Sequence, residues 1–374
     1  MFETDQELID NSSEVFMPDT DAPGIKKGKR VLVMVPDLEL NGAQTVMRNM
    51  IEIFNEEHYS ITIISSEDGP YREKYTSLGC CVAIRPFVAT TESFKEYMRC
   101  YDFVLLNSSS CLPYLYFFIN TKTPVLLWLH ETEQQLNSTG TVLPHPLLLS
   151  HNIRIAGVTM AVLRGIKNLY DCDITLLPMA VPDVHTEYDV PVRNTDIVEF
   201  FIPGAYTYIK GQDILLKVIA NLPEQFARKA HFTFCGYKLT GQEEYYRGIK
   251  NIASKMGNVT FLEQLSQPEV YDYYNRSDCV VAPSRIDATP TTIVEAMMFG
   301  KHVMVSSNAG ISEYLTDCVN GFVFENEDEL LKRILLLVSD LGSLSGIARA
   351  GYEIYKELFS PEAVKIRLKK IMDL

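Results

Sequence analysis

"CVVAPSRIDATPTTIVEAMMFGKHVMVSS" runs from Cys279 to Ser307. It opens on an apolar run, 279–284, of the kind a parallel strand buried on both faces presents. A loop holding Asp287 follows, and Pro290 suits the first turn of a helix. Val294, Met297 and Met298 cover one face of that helix and point to a core. A second apolar run, "HVMVSS" (302–307), completes the order strand, helix, strand. That order predicts a parallel sheet covered by helices.

The same alternation extends both ways along the 374 residues. In the first half the predicted strands are 31–36, 59–65, 81–86, 102–107, 124–130 and 154–159. In the second half they are 196–204, 231–236, 259–264, 279–284, 302–307 and 321–325. "GAQTVMRNMIEIFNEE" places Val46, Met50, Ile51 and Phe54 along one helical stripe. "VPDVHTEYDVPVRNTD" (181–196) is polar and proline-bearing, and reads as the linker. The expectation is α/β: two Rossmann-like, doubly wound parallel-sheet domains facing across a cleft. Their bounds are 29–183 and 184–358, preceded by an acidic tail (1–28) and followed by a helix (359–374) started by Pro361.

Composition narrows the partners. The net charge is -14, which opposes sequence-independent nucleic-acid binding. Glu3, Asp5, Glu7, Asp10, Glu14, Asp19 and Asp21 concentrate acid in a tail that reads as solvated, or as a docking segment anchored by Phe2, Leu8, Ile9, Val15 and Phe16. No apolar run reaches the ~18–20 residues a bilayer requires, and the N-terminus lacks the order of a signal peptide. A soluble, cytoplasmic chain is expected, with at most weak peripheral membrane association through Lys26 to Arg30. The eight cysteines show neither CxxC pairs nor zinc spacing and read as buried free thiols. No metal site is expected.

Ligands of doubly wound sheets bind outside the carboxyl ends of the strands, so the strand exits hold the candidate residues. No GxGxxG fingerprint occurs, which removes most support for a nicotinamide dehydrogenase. Gly42 and Ala43 open a helix after the first strand, either as a plain tight turn or as a seat for an anion. His130 ends the fifth strand, as a structural residue or as a donor or base toward a ligand. Gly204 permits a tight exit from the next domain's first strand. Lys210 precedes a helix, where a cation is unfavourable unless an anion offsets it. Past Pro290, the N–H groups of Thr291, Thr292 and Ile293 lack intrahelical partners and offer a phosphate seat. Glu295 is placed to accept two hydroxyl hydrogen bonds, as from a ribose diol, or to pair locally. Glu313 needs only its favourable place in a first helical turn.

Residues 280–324, "VVAPSRIDATPTTIVEAMMFGKHVMVSSNAGISEYLTDCVNGFVF", resemble the acid–seven residues–Glu motif, small-residue turn and closing "NGF" of glycosyltransferase family 4 (glycosyl transferases group 1), the retaining GT-B glycosyltransferases. "NGAQTVM" resembles that family's first helix start, "PGAYTYIKGQDILL" its lysine segment and "LPMAVPD" its pre-linker. The resemblance covers about residues 30–360 and implies a metal-independent enzyme without a cofactor. Its donor would be a nucleotide-diphosphate sugar, a uridine diphosphate sugar by default. Its acceptor would be a glycan, a lipid-linked glycan or a protein, in surface glycan or polysaccharide synthesis. Carried over by position, Lys210 would contact the diphosphate, Glu295 the ribose and Asp287 the donor sugar hydroxyls. The N–H groups after Pro290 and the Gly42 turn would flank the phosphates, and His130 would face the donor sugar. Two positions depart from the pattern. Asp287 stands where the family usually has Glu, and Ala205 where it usually has Arg. Arg285 is the residue expected to compensate. The alternatives are a non-catalytic nucleotide-sugar-binding or partner-regulating module, and a nucleotide-sugar epimerase, on the same fold.

Overall fold

In a computed structural model, residues 14–16, 28–84, 100–119, 121–139, 150–170, 172–184 and 196–372 are described. The chain divides into two compact units. One is Met1–Pro182 with Pro361–Leu374; the other is Asp183–Ser360.

The first unit is built on an eight-stranded sheet of order β1-β4-β3-β2-β5-β6-β7-β8. The strands are β1 (Glu14–Phe16), β2 (Arg30–Val35), β3 (Ser60–Ser65), β4 (Cys81–Ile84), β5 (Phe103–Asn107), β6 (Val125–Leu129), β7 (Ile153–Gly157) and β8 (Ile174–Leu176). All neighbours pair in parallel except β1, which pairs antiparallel with β4. The central strands β2, β5 and β6 are apolar and buried on both faces, as a parallel sheet between helix layers requires. Helix α1 (Gly42–Glu56) lays Val46, Met50, Ile51 and Phe54 into the core. Two strands escaped the sequence reading. β1 lies within the stretch assigned to an acidic tail, and β8 is a three-residue edge strand with an exposed centre, too short and too polar to announce itself. The rest of that tail, with Phe2, Leu8, Ile9 and Lys26, and linker residues 185–195 lie outside the described residues.

The second unit carries a six-stranded, wholly parallel sheet of order β11-β10-β9-β12-β13-β14. Its strands are β9 (Val198–Pro203), β10 (Ala230–Cys235), β11 (Val259–Leu262), β12 (Cys279–Ala282), β13 (His302–Ser306) and β14 (Phe322–Phe324). Alternate residues go to opposite faces. Phe200, Ile202, Phe232, Phe234, Val281 and Met304 enter one apolar core, while Phe201, Val280, Val303 and Val305 are buried outside it. The helices are α5 (Gln212–Ala220), α6 (Glu243–Ala253), α7 (Gln267–Arg276), α8 (Thr291–Met298), α9 (Glu327–Asp340) and α10 (Ser345–Leu358); α2 (Tyr71–Ser77), α3 (Glu133–Thr139) and α4 (Met160–Leu169) precede them in the first unit. α5 packs with α6 and α9, and α8 packs with α10, so both sheet faces are covered. Among the parallel strands of each sheet the order reverses once, between β2 and β5 and between β9 and β12. The crevice of such a sheet opens at that switch point.

The last helix, α11 (Pro361–Met372), belongs to the first unit. Val364, Leu368 and Ile371 are buried. Lys365 and Lys369 bind Glu57 at 2.7 and 2.8 Å, and those ammonium groups hold its carboxyl down to about 2. Cys80, Cys111, Cys235 and Cys279 are buried free thiols as expected, but Cys100 and Cys318 are exposed.

Candidate functional site

The exits of β9 and β12 meet at the second sheet's switch point. After β9 the chain turns through Gly204 (φ 147°) and Gly211 (φ 69°), conformations that L side chains adopt at a cost. At Gly211 space forbids a side chain as well, because a Cβ would sit 2.1 Å from the Pro283 carbonyl oxygen of the β12 exit. The two exits therefore touch backbone to backbone. Arg285 ties them further. Its guanidinium donates to Asp213 at 2.8 and 2.7 Å and to the Tyr208 carbonyl at 2.7 Å, and stands 3.9 Å from the Tyr208 ring centre. Tyr245 donates to Asp213 and Gln212, and Gln212 donates to the Ala205 carbonyl.

Within this frame Lys210 Nζ lies 2.5 Å from Asp287 Oδ2. Lys210 closes a short turn, Tyr208–Lys210, capped by the Thr207 side chain. Asp287 is fixed by its backbone, whose carbonyl accepts from Gly310 N–H at 2.8 Å in the turn after β13. A small recess brings Lys210 together with Pro203, Gln212, Ser284, Pro290 and Thr292. The structure thus gathers Lys210, Asp287 and the start of α8 at one place. The Tyr237 hydroxyl, held above its ordinary pKa by burial, feels the Lys210 charge as well.

Three details of the sequence reading change here. Pro290 is the N-cap of α8 rather than a member of its first turn, and it offers no side-chain cap. Ile293 N–H donates to the Pro290 carbonyl at 3.0 Å, which leaves Thr291 and Thr292 as the amides without an intrahelical acceptor. Arg285 is also not the spare cation it was expected to be. Asp213 neutralises it, and its hydrogen bonds lock a loop.

Glu295 sits one turn into α8 and faces α7. Its Oε2 accepts from Tyr274 at 2.7 Å, and the same hydroxyl reaches the Thr292 carbonyl at 3.1 Å. Burial raises the carboxyl to about 7, with the Tyr274 and Gln267 hydrogen bonds opposing that rise. Of the two roles read from sequence, a ribose ligand or a local pair, the structure shows the local pair. Tyr274 and Gln267 were not foreseen, because nothing in "QPEVYDYYNR" says which of its polar groups turns inward.

In the first unit, Gly42 begins α1. Asn41 caps that helix by accepting from Gln44 N–H at 3.0 Å. A Cβ on Gly42 would meet no protein atom within 4 Å, so the fold itself does not demand glycine there. Ala43 follows, partly exposed. His130, just past β6, has Nε2 2.8 Å from Asn107 Oδ1 and its ring 4.6 Å from Trp128. Burial holds the imidazole neutral and its pKa well below the usual value. Beside it, Glu131 accepts from Ser108 Oγ, Ser109 N–H and Ser109 Oγ at 2.6, 3.0 and 2.9 Å. Burial pushes that carboxyl up, but these donors more than offset it. Ser108 adopts φ 87° to make the contact. Asn107 Nδ2, and Thr289 Oγ1 beside Pro290, are buried without a hydrogen-bond partner. Among the described residues no helix is long and apolar enough to cross a membrane, and no group of three or more His, Cys, Asp or Glu is gathered as a metal site.

Residues 188–353, nearly all of the second unit, match the model of the glycosyl transferases group 1 family. The match covers just under half of the chain, and the chain as a whole has the GT-B fold. The phosphatidylinositol N-acetylglucosaminyltransferase gpi3 subunit of Schizosaccharomyces pombe is 24% identical over 247 residues, covering 65% of this chain and 51% of that protein. A lipopolysaccharide 1,2-N-acetylglucosaminetransferase of Salmonella typhimurium is 31% identical over 81 residues, covering 21% of each. The chain thus spans about half or less of the length of these relatives. Among solved structures, Anabaena Alr3699/HepE in complex with UDP and glucose superposes with a TM-score of 0.76 at 15% identity, over 92% of this chain and 100% of that one.

Proposed function

We propose that the chain transfers a sugar from a nucleotide-diphosphate sugar to an acceptor hydroxyl, with retention, in surface glycan or polysaccharide synthesis. The observation that carries this reading is the convergence, at the β9/β12 switch point, of Lys210 with the start of α8. An ammonium beside unpaired amides suits a diphosphate. The family match of the second unit and the UDP bound in the HepE structure support the same ligand class. Uridine diphosphate is the default carrier, and the acceptor is a glycan, a lipid-linked glycan or a protein.

In this mechanism the bond between the sugar C1 and the diphosphate oxygen breaks, and its electron pair leaves with the diphosphate. Lys210 and the Thr291 and Thr292 amides stabilise that charge. The acceptor oxygen bonds to C1 on the face the diphosphate left. The acceptor proton passes to the departing phosphate oxygen, so no enzymic nucleophile is required. Asp287 holds donor hydroxyls, Glu295 the ribose, and Gly42 and Ala43 allow the phosphates to approach α1. His130 faces the donor sugar as a neutral imidazole. Transfer is expected to persist with a chelator present. The test is turnover of labelled nucleotide sugars with a broad acceptor panel, wild type against Lys210→Ala. Donor consumption that requires an acceptor and falls in the variant supports the reading, and equal rates in both proteins refute it.

A second reading is favoured by one observation. Ala205 stands where the family pattern has Arg, and Arg285 is committed to Asp213, so Lys210 is left with the diphosphate charge. A nucleotide-sugar-binding or partner-regulating module would bind the same donor saturably and turn none over.

A further inference from the structure

We propose that the second unit carries a separate carbohydrate subsite, outside the Lys210 recess, selective for an uncharged or amine-bearing sugar unit. A cavity of about 440 Å³ opens at the carboxyl ends of β12, β13 and β14, against the start of α9. Small-ligand sites span roughly 300–1,000 Å³. Its apolar wall is Ile214, Pro283 and Phe324, a surface against which the C–H face of a sugar ring can pack.

Polar groups border that wall. Ser284 is 2% exposed and lines the cavity, and its hydroxyl has no partner among the described residues. Such a group is costly unless a ligand or water satisfies it. Ser306 is 5% exposed, and its Oγ accepts from Asn308 N–H while its own proton is uncommitted. Across the opening stand the exposed carboxylates of Glu325 and Asp328, each able to accept paired hydroxyls or an ammonium.

Charge sets the selectivity. The two cations near the cavity are already neutralised, Arg285 by Asp213 and Lys217 by Glu327. Glu325 and Asp328 have no cationic partner among the described residues. The side chains lining the cavity therefore carry a net negative charge that opposes phosphate, set against the amides at the start of α9, whereas the recess bordered by the same Pro283 and Ser284 holds Lys210. Two adjoining sites of opposite preference fit two different ligands. This inference rests on the cavity and not on the transfer reaction.

The test is titration of the full chain, followed by NMR, with glucosamine, glucose and glucose 6-phosphate, with and without uridine diphosphate. Glucosamine and glucose are expected to bind saturably and equally well in the presence of uridine diphosphate, and glucose 6-phosphate at least tenfold more weakly. The exposed charge reversals Glu325→Lys and Asp328→Lys, checked for unchanged thermal unfolding, are expected to weaken glucosamine at least tenfold and to leave uridine diphosphate binding intact. The proposal is overturned if neither sugar binds saturably, if uridine diphosphate displaces the sugar, or if the reversals leave its affinity unchanged. Failure of uridine diphosphate to bind at all would count against the proposed function alone, because the sugar titrations without it stand independently.

Discussion

Lys210 and Asp287, 77 residues apart, form an ion pair of 2.5 Å that joins the exits of β9 and β12. The pair stores the cation at the switch point beside a carboxylate of lower exposure, 12% against 34%. In the proposed function, a diphosphate arriving at the start of α8 would compete with Asp287 for that cation. Removing Lys210 is expected to lower turnover about 10²–10³-fold, the loss typical of a single donor to a developing oxyanion. Asp287→Asn frees Lys210, so its product-nucleotide affinity is expected to hold or rise while transfer falls. Steady-state rates alongside calorimetry of the nucleotide check both.

Glu295 predicts a pH dependence of stability with a definite sign. Its folded pKa, about 7, lies above the ordinary 4.5. Between those values the folded state holds the proton more tightly, so this contribution is full below about pH 4.5 and is lost as pH rises through about 7. The whole span is worth about 3 kcal/mol at most. Glu295→Gln removes the titration, so its stability relative to wild type is expected to increase from pH 5 to pH 8. Denaturant midpoints across that range measure it. A ribose diol bound to the ionised carboxylate also requires proton release. The binding enthalpy of the nucleotide should then depend on the buffer in wild type and not in Glu295→Gln.

His130 titrates in the opposite sense. Burial lowers its pKa, so the unfolded chain takes up the proton first as pH falls below about 6.5, and stability falls with it. His130→Asn is expected to flatten that acid limb. If the imidazole faces the donor sugar, the variant also raises the KM for the donor more than it changes nucleotide product affinity. Transfer kinetics and acid unfolding curves separate the two effects.

The glycines at the two switch points predict opposite outcomes. Gly211→Ala forces a Cβ toward the Pro283 carbonyl in a left-handed conformation and is expected to cost about 2–4 kcal/mol. Gly42→Ala meets no protein atom and replaces a poor helix former with the best, so unfolding is expected to be unchanged or slightly raised in midpoint. A loss of transfer in that stable variant would report close approach of a substrate to α1. Thermal melts paired with activity decide each case.

The parallel strands were legible because burial on both faces leaves runs such as "VLVMV" and "CVVA" with no polar interruption. β1 and β8 were not, since edge strands of three residues carry no periodic signal. Asp287, Lys210 and Pro290 were legible from their addresses at strand exits and helix starts. Their pairing was not, because a sequence shows which residues reach a switch point but not which of them touch. Arg285 shows the same limit. Its charge and neighbourhood suggested a phosphate ligand, and only the three-dimensional partner, Asp213, 72 residues away, revealed a loop clasp. The clamp on Glu131 depends on a positive φ at Ser108, a conformation that no residue pattern announces.

The central claim is that the β9/β12 switch point seats a nucleoside diphosphate. Calorimetric titration of uridine diphosphate into wild type, Lys210→Ala and Glu295→Ala near neutral pH tests it directly. The expected result is saturable binding in wild type, weakened about 10–100-fold in each variant, the loss of one hydrogen bond to a charged group. Absence of saturable binding, or equal affinity in all three proteins, would contradict the claim.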